Sequence, residues 1–176
     1  KLLNHYSKAT KLSLDLINMP ANELNPLTFN NIVKNHKLFS KFYFKKYTDS
    51  QIKKLFPLTY AVGKSSNIHP QFLQVSNKKI NNKDQPIVII GKGVTFDTGG
   101  VNIKPGNSMR NMKKDMGGAS IALSLFLLSS YLLKKSKIVL LIPAAENSIS
   151  SKAMRPGDVY NSRSGKSIEI SHTDAE

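Results

Sequence analysis

The spacing of apolar and polar positions predicts helices that alternate with strands along most of the chain. Residues 3–18 place apolar side chains near helical spacing, which predicts an amphipathic helix. Asn25 followed by Pro26 is typical of a helix start, so we expect a second helix from there to about His36. Residues 119–133 are apolar on most sides and predict a well-buried helix.

Several short segments have the character of strands. The candidates are residues 39–47, 71–75, 87–90, 137–142 and 167–171. The run 87–90 is continuously apolar, as is the run 137–142 after its first residue, Lys137, and we expect both to be buried. Thr48 is a candidate cap for a short helix, and the polar residues 76–85 predict a hairpin or a loop. Strands alternating with long helices predict an α/β fold with a mixed β-sheet flanked by helices in three αβα layers.

Length and composition are those of one soluble domain. The 176 residues suffice for a real core, and no apolar run reaches the roughly 18 residues of a membrane span. The first residues lack the features of a signal peptide. The absence of cysteine excludes disulfides and thiolate zinc sites and favours a cytoplasmic location. Because the chain begins mid-pattern with Lys1 rather than Met, we expect it to be a fragment.

The net charge of +15 favours anionic partners, and nucleic acid is the first to consider. However, the lysines occur as pairs along the whole sequence, which is more typical of a solvated surface. A nucleic-acid module usually concentrates its lysines with aromatic residues on one face. Nucleic-acid binding therefore stays open as an alternative that the sequence does not favour.

The glycine-rich stretch 87–119 carries charged residues just after a predicted strand. These residues are Lys92, Asp97, Lys104 and Asp115. Ligands of open α/β sheets bind at the carboxyl ends of strands, and glycine allows the backbone to approach them closely. We interpret the stretch as part of a hydrolase metal site.

Four of only eleven acidic residues lie beside apolar or glycine-rich segments: Asp97, Asp115, Asp174 and Glu176. Carboxylate oxygens suit hard divalent cations, but each carboxylate taken alone is more typical of a cap, a turn or a surface charge than of a metal ligand. The triplet 97–99 also matches that of aspartic proteases, but such enzymes need two carboxylates from two lobes or a dimer.

Longer motifs resemble one known family. GKGVTFDTGGVNIKP (91–105), KKDMGGA (113–119) and the terminal TDAE (173–176) resemble the leucyl aminopeptidases, which are hexameric two-metal cytosol aminopeptidases. LDLINMPANELNP (14–26), IPAAENSIS (142–150) and RPGDV (155–159) extend the similarity in the same order. The resemblance implies that residues 1–176 are the first part of the catalytic domain. The family's amino-terminal domain and the rest of its catalytic domain are absent from this sequence.

The resemblance also implies site residues and cofactors. The implied metal ligands are Lys92, Asp97, Asp115, Asp174 and Glu176, with Asp97 and Glu176 bridging two divalent ions, Mn²⁺ or Zn²⁺. Lys104 matches the catalytic lysine, which would stabilise the oxyanion. Position alone predicts that Met116 packs in the core, whereas the resemblance implies that it lines the pocket for the substrate side chain. The implied activity is release of amino-terminal residues, leucine and other apolar ones preferred, from peptides by a homo-hexamer. As a ligand Lys92 must be neutral, so its pKa must fall by more than ~3 units from about 10.4.

The sequence departs from the family pattern at two places. His172 stands where the family usually has Asn, which predicts either a harmless surface change or an altered environment of the ligands. The family motif continues with Gly-Arg, whose arginine helps to hold a bicarbonate that acts as base. We therefore expect this fragment alone to be inactive and poorly folded, and a non-catalytic family member remains a further alternative.

Overall fold

A computed structural model describes residues 2–175, which form an α/β fold. The helices are α1 (Leu2–Asn18), α2 (Pro26–Asn35), α3 (Asp49–Leu55), α4 (Pro57–Gly63) and α5 (Gly117–Leu132). The strands are β1 (Tyr43–Lys45), β2 (Gln71–Ser76), β3 (Ile87–Ile90), β4 (Gly93–Asp97), β5 (Ile138–Asn147), β6 (Val159–Asn161) and β7 (Ser167–Glu169). Three short 3-10 helices cover Lys37–Phe39, Ser108–Lys114 and Thr173–Ala175.

The main sheet is mixed and is centred on β5. Its order is β1-β2-β5-β3, and β4 continues the line of β3 along β5. β2 is antiparallel to β5, whereas β3 and β4 are parallel to it. The predicted mixed sheet flanked by helices is confirmed.

β5 runs further than predicted, to Asn147 rather than to Ile142. The sequence places Pro143 inside this strand, and proline removes a ladder hydrogen bond. The register pairs Ile90 with Leu141 and Gly93 with Ala144, so Pro143 lies opposite the interruption between β3 and β4. Because no strand residue pairs with Pro143 on that side, the missing N–H leaves no ladder hydrogen bond unmade. β5 continues beyond Pro143 to Asn147, which belongs to the site described below.

Helices cover both faces of the sheet. Leu73 and Val75 of β2 belong to the core formed with α1, α2 and α5. Phe72, which precedes Leu73, points to the opposite face, where its ring stacks on Phe56 at 3.6 Å between centroids, next to α3 and α4. Since side chains of a strand alternate between faces, this pattern sets a helical layer on each side.

The predicted helix starts are confirmed at two caps. The Asn25 side chain accepts hydrogen bonds from the N–H groups of Leu27 and Thr28, and Thr28 Oγ1 in turn accepts one from the Asn25 N–H. Thr48 caps α3 in the same reciprocal way with Gln51. α4 was not predicted from the sequence.

Two predictions of burial are wrong. β3 is an edge strand, with Ile87 and Val88 each 47% exposed and Ile90 69% exposed. α5 buries only one face, and Ile121 and Leu125 point outward at 64% and 50% exposure. Continuous apolar sequence indicates burial on all sides, but here only one neighbouring layer exists within residues 2–175.

Two smaller predictions also change, and one alternative is resolved. Of residues 39–47 only Tyr43–Lys45 form a strand, because a 3-10 helix occupies Lys37–Phe39. For the segment 76–85 the loop is confirmed rather than the hairpin, because β2 and β3 each pair with β5 and not with each other. The strand predicted at 167–171 ends at Glu169.

A continuous helical stretch, Ser108–Leu132, is long and apolar enough to span a membrane by length and composition alone. Its first part holds Arg110, Lys113 and Lys114, and its second part packs on α1 and the sheet. A core helix passes the same test, and the packing of α5 is that of a core helix.

Candidate active site

The first element of the site is the tight turn after β4. Asp97 is the last residue of β4, and Gly99 and Gly100 follow with positive φ angles of 85° and 64°. A Cβ on Gly99 would lie 2.5 Å from the Asn102 carbonyl oxygen, so the turn requires glycine there. The turn brings Lys104 back beside the strand end, where its N–H bonds the Thr98 carbonyl at 3.0 Å.

Asp97 is buried and strongly held. Its side chain is 3% exposed, and its Oδ1 accepts hydrogen bonds from the Gly99 N–H at 2.9 Å and from Asn147 Nδ2 at 2.8 Å. Burial raises the pKa of this carboxyl, but the hydrogen bonds from Lys104, Gly99 and Asn147 outweigh it and lower the pKa overall. Asp97 is therefore an anion at neutral pH.

Lys104 lies between two carboxylates. Its ammonium nitrogen is 2.8 Å from Asp97 Oδ2 and donates a short hydrogen bond to Asp174 Oδ1. The bonds to Asp174 and then to Asp97 raise the pKa of Lys104 above its ordinary value. Residues 70 positions apart in the sequence thus meet, as the motif predicts for Lys104, Asp97 and Asp174.

Lys92 and Asp115 form a second pair. Lys92 Nζ is 2.9 Å from Asp115 Oδ2, at the junction of β4 and the start of α5. The backbone is close there too, because the Ala119 N–H donates to the Lys92 carbonyl at 2.9 Å. A Cβ on Gly118 would lie 3.2 Å from the backbone nitrogen of Lys92, and this tight contact favours a glycine at the helix start.

Two residues that the sequence reading missed hold the site together. Asn147 Nδ2 also donates to the Thr173 carbonyl at 2.9 Å, and Thr173 Oγ1 donates to the Gly99 carbonyl at 2.6 Å. Both side chains are buried, at 1% and 0% exposure. The position of Asn147 in the sequence could have indicated its role. It is the last, polar residue of a mostly apolar strand, and ligands of such sheets bind at the carboxyl ends of the strands.

His172 and Met116 have structural roles. His172 is exposed, and its Nδ1 accepts a hydrogen bond from the Asp174 N–H at 3.2 Å. It therefore supports the turn that carries Asp174. Met116 is fully buried in the core, and its sulfur lies 3.8 Å from Ser120 Oγ. The packing role that position alone predicted for Met116 is confirmed. Within residues 2–175 Met116 does not line a pocket, which was the role implied by the resemblance.

The donor set suits divalent cations. Asp115 Oδ2 is buried and makes no hydrogen bond with good geometry; its contact at 2.9 Å with Lys92 is an ion pair only. Asp97 and Asp174 converge on one cation, the Lys104 ammonium. Within residues 2–175 no three His, Asp or Glu side chains cluster tightly enough to hold a metal ion. The predicted ligand Glu176 lies outside the described residues, so the full predicted set stays a prediction.

Comparison with known proteins agrees with this arrangement. The chain is 38% identical over 174 residues to a probable cytosol aminopeptidase from Aquifex aeolicus, covering 97% of this chain and 35% of that protein. The crystal structure of a cytosol aminopeptidase from Coxiella burnetii has 40% identity and a TM-score of 0.80, covering 93% of this chain and 35% of that one. The bottromycin maturation enzyme BotP in complex with Mn has 31% identity and a TM-score of 0.86, with coverages of 97% and 37%.

The chain thus spans about a third of the length of the relatives that it matches. The model of the cytosol aminopeptidase family, catalytic domain, matches residues 11–176, a range that includes every residue of the site described above. With that match, and with a buried carboxylate, its lysine and their supporting amide assembled at the carboxyl ends of β4 and β5, the chain belongs to the cytosol aminopeptidase family.

Proposed function

We propose that the full-length protein is a metal-dependent aminopeptidase that releases amino-terminal residues from peptides. The observation that carries the proposal is the convergence of Asp97, Lys104 and Asp174 from separate segments onto one buried point. A structural ion pair needs one carboxylate for each lysine, whereas here two carboxylates share one ammonium. Such a surplus of negative charge suits a divalent cation.

The residues that would hold two divalent ions are Lys92, Asp97, Asp115, Asp174 and Glu176. Mn²⁺ and Zn²⁺ are the proposed ions, and the similarity to a Mn complex of BotP supports the first. When bound, such ions polarise a carbonyl and lower the pKa of water to about 7. Lys92 joins the ligands only as a neutral amine, and a nearby dication favours that form because it repels the ammonium.

The chain's own groups supply the remaining chemistry. Lys104 stays protonated because its pKa is raised, so its ammonium can donate a hydrogen bond to the oxygen that becomes negative at the scissile carbonyl. Asp115 has an oxygen free of hydrogen bonds and is suited to accept a proton from the α-amine of the substrate. Binding of that free amine would explain restriction to the first residue of a peptide.

Further features of the proposal rest on the family. They are a preference for leucine and other apolar residues, a homo-hexamer, a cytoplasmic location, and a bicarbonate held by an arginine beyond Glu176. The relatives are called cytosol aminopeptidases, which supports the activity and the location.

The test is hydrolysis of leucine amide by the full-length protein, with and without a chelator and after return of Mn²⁺ or Zn²⁺. We expect chelation to abolish turnover and metal to restore it. Asp97→Asn keeps the shape of the side chain and should lower turnover by at least about 100-fold. Activity that resists complete removal of metal would overturn the proposal.

Asp84→Asn is the matched control. Asp84 also pairs with a lysine, Lys137 at 2.5 Å, but at the opposite end of β5 from Asn147. We expect this variant to keep turnover and metal dependence. Equal loss in both variants would mean that removal of any paired carboxylate damages the fold, and the role of Asp97 would then be refuted.

A further inference from the structure

A cavity of about 320 Å³ lies away from the candidate active site. Its walls come from the start of α1, the segment 37–42 and the carboxyl-terminal half of α5. The candidate active site adjoins the other end of α5, and sixteen helical residues span about 24 Å. The cavity is therefore distinct from the metal ligands. We call it the α1–α5 pocket, lined by His5, Lys37, Leu38, Lys41, Phe42, Leu127, Ser130, Tyr131 and Lys134.

The charge of the α1–α5 pocket is one-sided. Lys37, Lys41 and Lys134 line it, and the lining includes no Asp or Glu. Within residues 2–175 these lysines form no ion pair, whereas Lys104 and Lys137 each pair with a carboxylate. Three ammonium groups around one concavity create a positive potential that attracts an anion.

The pocket also presents rings. His5 stacks on Tyr131 with 3.9 Å between centroids and 29° between planes, and Lys134 Nζ lies 5.8 Å from the Tyr131 centroid. Phe42 adds an apolar wall. Aromatic faces beside lysines suit a planar ring that carries negative charge.

Ser130 supplies an unmet hydrogen-bonding group. Ser130 lines the pocket, and its Oγ is buried without a hydrogen-bond partner among residues 2–175, so the side chain must rotate toward the pocket to bond a ligand. A buried hydroxyl without a partner costs free energy, and a polar ligand atom would remove that cost.

We propose that the α1–α5 pocket binds a phosphate ester with an attached planar ring, of the size of a nucleoside monophosphate. The lysines would contact the phosphate, and the ring would pack on Phe42 and beside the stacked rings of His5 and Tyr131. Bare phosphate would leave the aromatic wall unused, and an uncharged nucleoside would leave the three lysines unused. The volume lies at the lower end of the range for small-molecule sites.

The test is calorimetric titration of the full-length protein, stripped of divalent ions, with AMP, adenosine and inorganic phosphate. Stripping prevents phosphate from binding at the active site through metal. We expect AMP to bind at least about tenfold more tightly than either part alone, and more weakly as salt rises. Lys37→Gln with Lys41→Gln should weaken AMP binding by roughly tenfold or more.

Matched variants separate the pocket from general surface charge. Lys152→Gln with Lys166→Gln removes the same charge from exposed positions outside the pocket and should leave AMP affinity unchanged. Tyr131→Leu should weaken AMP but not phosphate, and Tyr131→Phe should retain both, with folding checked by circular dichroism. Absence of AMP binding, equal binding of phosphate and AMP, or equal loss in the two double variants would overturn the proposal.

Discussion

Asn147 Nδ2 donates a hydrogen bond to Asp97 Oδ1 at 2.8 Å, and this contact ties the polar end of β5 to the polar end of β4. The same amide reaches the Thr173 carbonyl beside Asp174. One side chain thus orients two segments that each carry a proposed metal ligand. Groups of this kind fix the direction of a ligand without touching the metal.

We therefore expect Asn147→Ala to lower metal affinity and peptide turnover by about 10–100-fold. The Asp97 carboxylate loses one of its donors, so its pKa should rise toward its ordinary value. The measurement is metal affinity by calorimetry together with turnover of leucine amide at limiting and at saturating metal. Partial rescue of turnover by excess metal would show that orientation of the ligands is what was lost.

Asn77→Ala is the matched control for that variant. Asn77 accepts a hydrogen bond from the Ile138 N–H at 2.9 Å and donates to the Ser136 carbonyl, at the far end of β5. Its loss should lower the free energy of unfolding by about 1 kcal/mol without changing metal affinity. Equal effects on metal affinity in both variants would refute the positioning role of Asn147.

Replacing Lys104 should separate its proposed role in catalysis from its role in neutralising Asp97 and Asp174. In Lys104→Met we expect kcat to fall by about 10²–10³, since a donor to the oxyanion is lost. Without metal, Asp97 and Asp174 would face each other unpaired, so the Tm of the chelated variant should fall. Added Mn²⁺ should raise the Tm of the variant by more than it raises the Tm of the parent, which differential scanning calorimetry can measure.

His36 predicts a pH dependence of stability far from the site. Burial, and then the charge of Lys37, lower the pKa of His36, whose Nδ1 accepts a hydrogen bond from the Leu38 N–H at 3.2 Å. The unfolded chain therefore binds the proton more readily than the folded chain, with an unfolded pKa near 6.5. Stability should be fully present above that pH and should fall as the pH drops through the folded pKa.

Urea unfolding at several pH values between about 5 and 8 measures this effect. His36→Asn keeps a side chain that can cap the turn and removes the titration, so its stability should change less over this range. His69→Asn is the control, because His69 lies on the surface beside Asp49. A parent profile with no slope near pH 6 would contradict the prediction.

The sequence predicted helix starts correctly where the stabilising hydrogen bonds join residues close to each other in the chain. Asn25 and Thr48 cap helices through bonds that span three residues, so their role is visible in a short window. The site needs contacts across 50 and 70 positions, from Asp97 to Asn147 and from Lys104 to Asp174, and no short window contains them. Only the long motifs placed Lys104 and Asp174 together. The motifs also contain Asn147 and Thr173, but they did not indicate the role of either residue.

Burial of β3 was predicted wrongly for a different reason, and the error has a testable consequence. Ile87, Val88 and Ile90 are apolar but exposed, and Ile90 also lines an apolar cavity of about 640 Å³. An exposed apolar edge strand pairs readily with other chains.

Residues 1–176 expressed alone should therefore self-associate through β3. Val88→Lys with Ile90→Lys should reduce association, because edge lysines oppose strand pairing. Light scattering and size-exclusion chromatography measure this, with Ile121→Lys on the exposed face of α5 as control. If the control reduces association as much as the edge variant does, the exposed helix face rather than β3 is responsible.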